Sequence, residues 1–280
     1  KPPFRISSAF PFQMQTQYSV MYYLPKPLVA PPLFYDSIEG EWAKREYGKL
    51  VRNAQLVQIQ TFQTWLEGKK MDMDELETQD IGSFCTREIH PQHAHDRLTD
   101  AATIYHTGLS HFLGRSGLYF LVELNDMNLL DWDMLRAILA QAGMNGFGGR
   151  RSLGSGVFKV TDDTISDLDR SWRELFALRN QEGFNGFINL SLYLPETIDS
   201  LAPVAYQLVP RRGWCYSSVT PMQMKRKSVT MFGEGSVFRN ELKGKLVDVT
   251  PDGFTAHKLY RYGIPLSLPI KILEKEDDLS

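Results

Sequence analysis

Residues 146–160 read GFGGRRSLGSGVFKV, and the organisation of the rest of the chain follows from this stretch. Its first eleven residues contain five glycines, two arginines and two serines. A helical pattern precedes the stretch, and the residues from Gly156 to Val160 have the composition of a strand. We therefore predict a glycine-rich loop that joins a helix to a strand, with a backbone that another molecule can approach closely.

The helix before this loop is predicted from Asp131, which can cap its N-terminus, to Gly143, which can end it. Its apolar residues recur at helical spacing and are expected to pack in a core. They are Trp132, Leu135, Ile138, Leu139 and Ala142. Upstream, residues 116–124 (SGLYFLVEL) predict a buried strand.

Charge is distributed unevenly along the chain, although the net charge is only −2. Residues 146–161 contain Arg150, Arg151 and Lys159 and no acidic residue. Residues 201–233 contain five basic residues and no acidic one, namely Arg211, Arg212, Lys225, Arg226 and Lys227. The net charge thus conceals two basic surfaces that suit a polyanionic partner.

Length and composition bound the remaining possibilities. The 280 residues are 42% hydrophobic, which suffices for one large or two smaller cores. No apolar run approaches the roughly 18 residues of a membrane span, and no signal segment opens the chain. Cys85 and Cys215 are the only cysteines. We expect a cytoplasmic protein with no membrane partner and no disulfide framework.

The segment from Cys85 to Gly117 is rich in histidine and irregular in pattern. Its spacing H-x-x-H-x-H matches no zinc signature, so neither a metal nor a cofactor is predicted. A projecting β-hairpin fits this segment better. The histidines concerned are His90, His93, His95, His106 and His111.

The second half of the chain predicts a further α+β unit after a boundary near residues 161–165. A capping-box pattern at Ser166 begins a helix that carries Trp172 and Leu175 on one face. Short strands bounded by Gly or Pro follow it. They are predicted at 187–194, 204–209, 227–232, 237–249, with an internal break at Lys243-Gly244, and 255–262.

The glycine-rich loop fits neither of two familiar phosphate-binding motifs. A Walker A motif requires a Lys after its last Gly, and G-x-G-x-x-G requires Gly where Arg151 stands. The loop still combines exposed backbone N–H groups with two guanidinium groups, which suits the backbone of a nucleic acid. From these residues alone, a plain connector between helix and strand is an equal alternative.

The loop sequence GFGGRRSLGSGVF resembles the glycine-rich loop of the RAMP superfamily of CRISPR proteins. Other stretches extend the resemblance from about Phe4 to Ile270 and are similar, in the same order, to the fourth Csm subunit of type III-A effector complexes. These stretches are ISSAFPF, YYLPKP, DRLTDAA, SGLYFLVEL, EGSVF, GKLVDVTP and HKLYRYGIPLSLPI.

The resemblance implies an α+β fold of two ferredoxin-like (RRM-like) units, at 1–162 and 163–280. The glycine-rich loop would lie between the helix and the last strand of the first unit, and a thumb-like β-hairpin would be inserted at about 85–115. Members of the family begin with a strand and a helix upstream of SSAFPF that this chain lacks. The first unit is therefore expected to be incomplete.

The resemblance also implies a non-catalytic subunit that binds the repeat-derived 5′ tag of the guide RNA. Its expected protein partners are the large polymerase/cyclase-like subunit and a backbone RAMP subunit, which it would bridge. The RNA-binding residues implied in the loop are Gly146, Gly148, Gly149, Arg150, Arg151, Ser152, Gly154 and Gly156. Those implied in the hairpin are Arg87, Arg97 and Arg115.

An alternative function is that of a metal-independent endoribonuclease that processes repeat RNA. Some RAMP proteins are such enzymes and use a His as general acid or base. His90, His93, His95 or His257 could serve here, but none has a paired base or nucleophile at recognisable spacing. Binding without cleavage is therefore the preferred prediction.

Overall fold

A computed structural model describes residues 2–16, 19–31, 41–71, 78–79, 81–95, 98, 102–161, 170–198, 201–215, 217 and 224–273. It has an α+β fold with several small sheets and few helices. The helices are α1 (Glu41–Asn53), α2 (Ile59–Leu66), α3 (Trp132–Asn145) and α4 (Arg170–Ala177). Short 3₁₀ helices occupy Ile81–Ser83, Arg151–Leu153 and Leu178–Asn180.

The strands before α3 are β1 (Phe4–Ile6), β2 (Phe10–Met14), β3 (Val20–Pro25), β4 (Leu56–Gln58), β5 (Thr78–Gln79), β6 (Cys85–His95), β7 (Ala102–Phe112), β8 (Ser116–Tyr119) and β9 (Val122–Leu124). Those after α4 are β10 (Gly186–Asn189), β11 (Pro203–Ala205), β12 (Leu208–Arg211), β13 (Val229–Phe232), β14 (Val237–Phe238), β15 (Leu246–Asp248), β16 (Tyr260–Tyr262) and β17 (Ser267–Ile270).

The chain forms two compact units. One, here named the hairpin unit, comprises Ala9–Phe120 with Leu273–Ser280. The other, the loop unit, comprises Lys1–Ser8 with Leu121–Ile272. This grouping by contacts differs from the boundary at residue 162 predicted from the sequence. That boundary, and the ferredoxin-like arrangement on either side of it, stay predictions.

The hairpin unit is built on an antiparallel sheet with the strand order β5-β4-β3-β2-β8. Tyr23 of β3, Val57 of β4 and Phe62 of α2 are completely buried, as the apolar composition of these elements predicts. The Tyr23 and Phe84 rings meet edge to face with centroids 4.7 Å apart. The Tyr119 hydroxyl donates a 2.8 Å hydrogen bond to the Tyr23 carbonyl, and burial raises the pKa of Tyr119.

A long β-hairpin extends from this unit, as the sequence predicted. Strands β6 and β7 pair without a register shift from Cys85 opposite Phe112 to His95 opposite Ala102. Both of its faces are largely exposed, and Ile89 and Ile104 are 73% and 70% exposed. An exposed two-stranded ribbon gains little from burial, so its length suggests a role outside the fold.

The loop unit has its core in a four-stranded antiparallel sheet with the order β11-β14-β10-β17. Ile188, Phe238, Leu268 and Ile270 are completely buried there. Trp172, Leu175 and Leu178 of the helical segments before β10 are also buried, as predicted for the first two. Three two-stranded pairs complete this unit, namely β1 with β9, β12 with β13 and β15 with β16.

Several strand predictions were wrong in extent. The single strand expected at 116–124 is two strands, because β8 pairs with β2 whereas β9 pairs with β1. The stretch 237–249 holds two separate strands on either side of the break predicted at Lys243-Gly244, whereas β17 was not predicted. Residues 157–160 belong to no strand, so the strand expected after the glycine-rich loop is absent from the described residues.

The core packing predicted for α3 is also wrong. Trp132 and Ile138 are 39% and 52% exposed, and Gly143 is the helix's buried residue. Helical spacing of apolar residues shows that they share a face, but it does not show that anything covers that face.

Candidate nucleic-acid interface

Helix α3 leads directly into the glycine-rich loop. At its start the Asp131 carboxylate accepts a 2.7 Å hydrogen bond from the Met134 amide, which satisfies one of the free N–H groups of the first turn. At its end Gly146 leaves the helical conformation with φ 71° while its N–H still donates to the Ala142 carbonyl over 2.9 Å. Only glycine adopts this backbone geometry readily.

Two backbone hydrogen bonds close the loop at its base. The Phe147 N–H donates to the Gly156 carbonyl over 2.9 Å, and the Phe158 N–H donates to the Gly143 carbonyl over 3.2 Å. The Phe147 and Phe158 rings stack on each other with centroids 5.4 Å apart. We name Gly143, Gly146, Phe147, Gly156 and Phe158 the loop neck and residues 148–155 the loop tip.

Glycine is required in the neck because backbones approach one another there. A Cβ on Gly143 would lie 2.5 Å from the Phe158 carbonyl oxygen, and one on Gly146 would lie 2.9 Å from that of Ser155. A Cβ on Gly156 would overlap the Phe147 carbonyl oxygen. Two of the predicted RNA-binding glycines, Gly146 and Gly156, are thus required by the close approach of the backbones in the neck.

The glycines of the tip face open space. A Cβ on Gly148, Gly149 or Gly154 would meet no heavy atom within 4 Å. Gly148 and Gly154 have positive φ, whereas Gly149 does not. At Gly149, therefore, neither packing nor backbone conformation within the described residues accounts for glycine.

The tip folds around Arg150, which has a left-handed backbone with φ 57°. Its carbonyl accepts hydrogen bonds from the Leu153 and Ser155 amides over 2.9 and 3.3 Å. Within the described residues, the amides of Gly148, Gly149 and Ser152 have no hydrogen-bond acceptor. Such a turn of unused N–H groups is a recurrent anion-binding geometry.

The side chains of the tip add positive charge and apolar contact area. Arg150 is half-buried and makes no ion pair with a described residue, while Arg151 and Ser152 are exposed. Phe147, at the edge of the tip, is 68% exposed. Phe147 was not predicted from the sequence as a binding residue, although an aromatic residue within a glycine-rich basic loop is a signal for base stacking.

The predicted arginines of the hairpin lie in the other unit. Arg87 is exposed on β6 opposite Ser110, and Arg115 is exposed in the turn between β7 and β8. Arg97 lies outside the described residues. The structure thus brings the predicted loop residues together, whereas Arg87 and Arg115 belong to a separate element.

The described histidines of the hairpin form no metal site. Glu88 lies 3.0 Å from His90 and 3.8 Å from His111, measured between Oε2 and Nε2, on one exposed face. In the described part of the chain, no three His, Cys, Asp or Glu side chains are placed to hold a metal ion. His257 lies 3.2 Å from the carbonyl of the neighbouring Lys258 and meets the Phe254 ring edge to face.

Comparison with known proteins shows similarity to Csm4 proteins. Residues 182–270 match the family model of the CRISPR Csm4 C-terminal domain. A protein of Thermococcus onnurineus named CRISPR system Cms protein Csm4 is 26% identical over 272 residues, which cover 96% of this chain and 81% of the relative. The chain is thus similar to Csm4 proteins over nearly its whole length, and its C-terminal part matches the Csm4 C-terminal domain. A Csm4 protein of Streptococcus thermophilus is 24% identical over 275 residues, with the same coverage.

The fold of the chain is similar to that of chains in solved structures that contain Csm4. A chain in the crystal structure of a Csm3-Csm4 subcomplex of the type III-A CRISPR-Cas interference complex has a TM-score of 0.62 and 17% identity, over 96% of this chain and 84% of that one. A chain of a Csm1-Csm4 cassette in complex with cA4 has a TM-score of 0.58 and 24% identity, over 97% and 80%. At these identities the likeness concerns the fold.

The described helices are short. Across the described ranges, none is both long and apolar enough to cross a membrane.

Proposed function

We propose that this chain is a non-catalytic RNA-binding subunit of a type III-A CRISPR interference complex and holds the repeat-derived 5′ tag of the guide RNA in the cytoplasm. The observation that carries the proposal is the tip of the glycine-rich loop. It combines amides that have no acceptor among the described residues, the guanidinium groups of Arg150 and Arg151, and Gly149, whose lack of a side chain is not required by packing or backbone conformation there.

The tip suits an RNA backbone because a phosphate can use both kinds of donor at once. The unused amides of Gly148, Gly149 and Ser152 supply short, fixed hydrogen bonds, and the Arg150 and Arg151 guanidinium groups supply charge-assisted ones. Since Gly149 has no side chain, the ribose-phosphate chain can lie directly against the loop. The exposed Phe147 ring offers a platform on which a neighbouring base can stack.

We propose that the β6–β7 hairpin is a second RNA-contacting element. Arg87 on its surface supplies positive charge, and Ile104 and Tyr105 expose apolar area of the kind that packs against bases. Arg115 at the base of the hairpin is exposed and can reach a phosphate.

The protein partners are inferred from the relatives. Solved structures contain Csm4 with Csm1 and Csm4 with Csm3. We propose that this chain likewise binds a large polymerase/cyclase-like subunit and a backbone RAMP subunit, and that it bridges them.

The loop assignment is tested with the double variant Arg150→Ala/Arg151→Ala and an RNA that begins with the 5′ tag. We expect weaker binding by about 1.5–3 kcal/mol, roughly 10- to 100-fold. The slope of log affinity against log salt should also fall by about 0.7 for each phosphate that the arginines no longer neutralise. Fluorescence anisotropy at several salt concentrations measures both.

A matched control removes the same charge from helix α4 with Arg170→Ala/Arg173→Ala, two residues exposed on that helix. It should leave the affinity within about twofold of the unchanged protein, because its long-range charge effect is screened by salt. Equal losses in both double variants would mean that only net charge matters, and the loop assignment would then be abandoned.

The alternative of RNA cleavage has its own assay. The chain is incubated with repeat RNA in EDTA, and we expect the RNA to stay intact. Site-specific cleavage that disappears in a His90→Ala or His257→Ala variant would replace the binding proposal by an endoribonuclease.

A further inference from the structure

A second basic cluster lies in the loop unit, away from the glycine-rich loop in sequence. Arg211 ends β12, Arg226 precedes β13, and Arg261 lies in β16. Burial, followed by repulsion from Arg226 and Arg211, lowers the pKa of the Arg261 guanidinium. The charges of Arg211 and Arg226 are therefore close enough to act on Arg261. Of the three arginines, the sequence had grouped only Arg211 and Arg226 in one basic surface.

This arginine cluster is not neutralised within the described residues. The Nε atoms of Arg211 and Arg261 are buried and have no hydrogen-bond acceptor there. The acidic groups of the neighbouring turns are engaged elsewhere, since Asp252 pairs with Lys227 at 2.7 Å and Asp248 with Lys258 at 3.1 Å. Residues 216–223 contain no Asp or Glu, so they bring no negative charge either. Like charges without a counter-charge favour the binding of an anion.

A surface pocket of about 470 Å³ lies beside the cluster. Its lining includes Arg212, Trp214, Lys225 and Arg226. The volume falls in the range of small-ligand pockets, roughly 300–1,000 Å³. The pocket is therefore large enough to accept a nucleotide.

Trp214 is held in place and yet exposed. Trp214 and Lys225 form an isolated antiparallel β-bridge, and the Arg226 Nε donates a 2.9 Å hydrogen bond to the Trp214 carbonyl. The Lys225 ammonium lies 5.3 Å from the centre of the indole ring. Despite these contacts Trp214 is 56% exposed. A fixed, exposed indole among cations is a platform for a nucleobase.

We propose that the pocket at Trp214 binds a nucleotide of single-stranded RNA, with the base stacked on the indole ring and a flanking phosphate held by Arg212, Lys225 and Arg226. Arg211 and Arg261 add positive potential beside the pocket. The lining of this site shares no residue with the glycine-rich loop, and the proposal rests on the proposed function only in taking RNA as the ligand.

RNA fits this surface better than an acidic protein segment does. Carboxylates would be satisfied by the cations alone and would leave more than half of the indole in water. A nucleotide uses both features, because every base has a face that stacks and every residue of the chain carries a phosphate.

The test uses the full chain and an oligoadenylate of about ten nucleotides, a length suited to one single-strand site. Binding is followed by anisotropy of the labelled RNA, with thermal unfolding as the check on folding. We expect Trp214→Ala, which removes the stacking platform, to weaken binding roughly 5- to 100-fold. Arg212→Ala/Lys225→Ala should weaken binding by a similar factor. Trp214→Phe keeps an aromatic ring and should retain most of the affinity. Trp132→Ala on α3, which removes another exposed indole, is the control and should have no effect.

A second measurement does not depend on the stability of the alanine variant. Oligoadenylate should quench part of the intrinsic fluorescence of the unchanged protein, and that part should be missing in Trp214→Phe. Unchanged affinity of Trp214→Ala together with equal quenching in Trp214→Phe would overturn the site. So would binding of oligoglutamate that competes with oligoadenylate and is insensitive to Trp214→Ala, since the pocket would then serve an acidic protein.

The test of the Trp214 pocket can succeed or fail independently of the test of the glycine-rich loop. If both sites bind RNA, Arg150→Ala/Arg151→Ala weakens the binding of tag RNA but leaves the Trp214 quenching by oligoadenylate in place. If the loop assignment fails, that double variant has no effect on tag RNA, and weaker binding by Trp214→Ala still supports the pocket.

Discussion

At the scale of single residues, the glycines of the 146–156 loop divide into two classes that the sequence does not distinguish. Gly146 and Gly156 stand where one backbone passes another, and a Cβ there would collide with a carbonyl. Gly149 stands in open space without a positive φ. Gly146 and Gly156 therefore maintain the conformation of the loop. Gly149 can be changed without disturbing that conformation, so its substitution tests what the loop binds.

Gly143 provides the test of the neck. Replacing glycine by alanine inside a helix ordinarily stabilises it by about 0.5–1 kcal/mol. Here Gly143→Ala should lower the stability instead, because the new Cβ would lie 2.5 Å from the Phe158 carbonyl oxygen. Gly48→Ala in α1 is the matched control, since its Cβ would meet nothing within 4 Å. Urea unfolding of both variants should give changes of opposite sign, and a stabilised Gly143→Ala would contradict the neck geometry.

Gly149 provides the test of the tip. Gly149→Val should leave the free energy of unfolding within about 0.5 kcal/mol of its original value, because the site is exposed and unstrained. It should nevertheless weaken the binding of tag RNA, because the branched side chain keeps the RNA backbone away from the amides. Gly149→Ala should show a smaller effect. Anisotropy titrations of the three proteins measure the series, and full affinity in Gly149→Val would show that RNA does not approach this part of the loop.

The limits of sequence reasoning are visible in these residues. Composition and position located the loop, its arginines and the glycine-rich backbone correctly. Which glycines serve the fold depends on the approach of Phe147 to Gly156 and of Gly143 to Phe158, and such pairings arise only when the chain is folded. For the same reason the charge pattern found Arg211 and Arg226 but missed Arg261, which joins them from a distant strand.

At the scale of elements, helices were predicted better than strands. Helix α3 begins directly after its predicted Asp131 cap and ends within two residues of the predicted Gly143. A helix is determined by local residues, whereas a strand exists only where a partner accepts its hydrogen bonds. The residues 157–160 have a strand-like composition, but their Phe158 amide bonds to the end of α3 rather than to a sheet.

The β6–β7 hairpin can be shortened to test its role. Replacing residues 89–108 by an Asn-Gly turn would keep the pairs from Cys85 opposite Phe112 to Glu88 opposite Leu109. Described residues in the removed part are exposed or half-buried, so the decrease in stability should stay below about 1 kcal/mol, a Tm change of roughly 2–4 °C. Affinity for tag RNA should fall, and an Ile104→Ala/Tyr105→Ala variant of the full hairpin, which changes two exposed residues of the removed part, should reproduce part of the fall. Undiminished affinity of the shortened protein would remove the hairpin from the proposed interface.

At the scale of the whole molecule, the two compact units do not follow the order of the chain. Lys1–Ser8 belongs with Leu121–Ile272 because β1 pairs with β9, while the strands between them form the five-stranded sheet and the β6–β7 hairpin. Short-range sequence patterns cannot predict that Lys1–Ser8 joins the second unit, since this depends on which distant strand each segment pairs with. Local patterns indicated α+β structure, whereas only the family resemblance pointed to Csm4 proteins.

The proposed bridging function belongs to this scale and can be tested by reconstitution. The large subunit and the backbone subunit of the same type III-A system are mixed with and without this chain, and the masses of the assemblies are measured by native mass spectrometry. We expect a three-component complex when the chain is present and no pair of the other two when it is absent. The Arg150→Ala/Arg151→Ala variant should still join the three proteins in the absence of RNA, because its change is confined to the loop tip, but the complex should retain less tag RNA. Association of the large and backbone subunits without the chain would show that it is not the bridge, whatever its affinity for RNA.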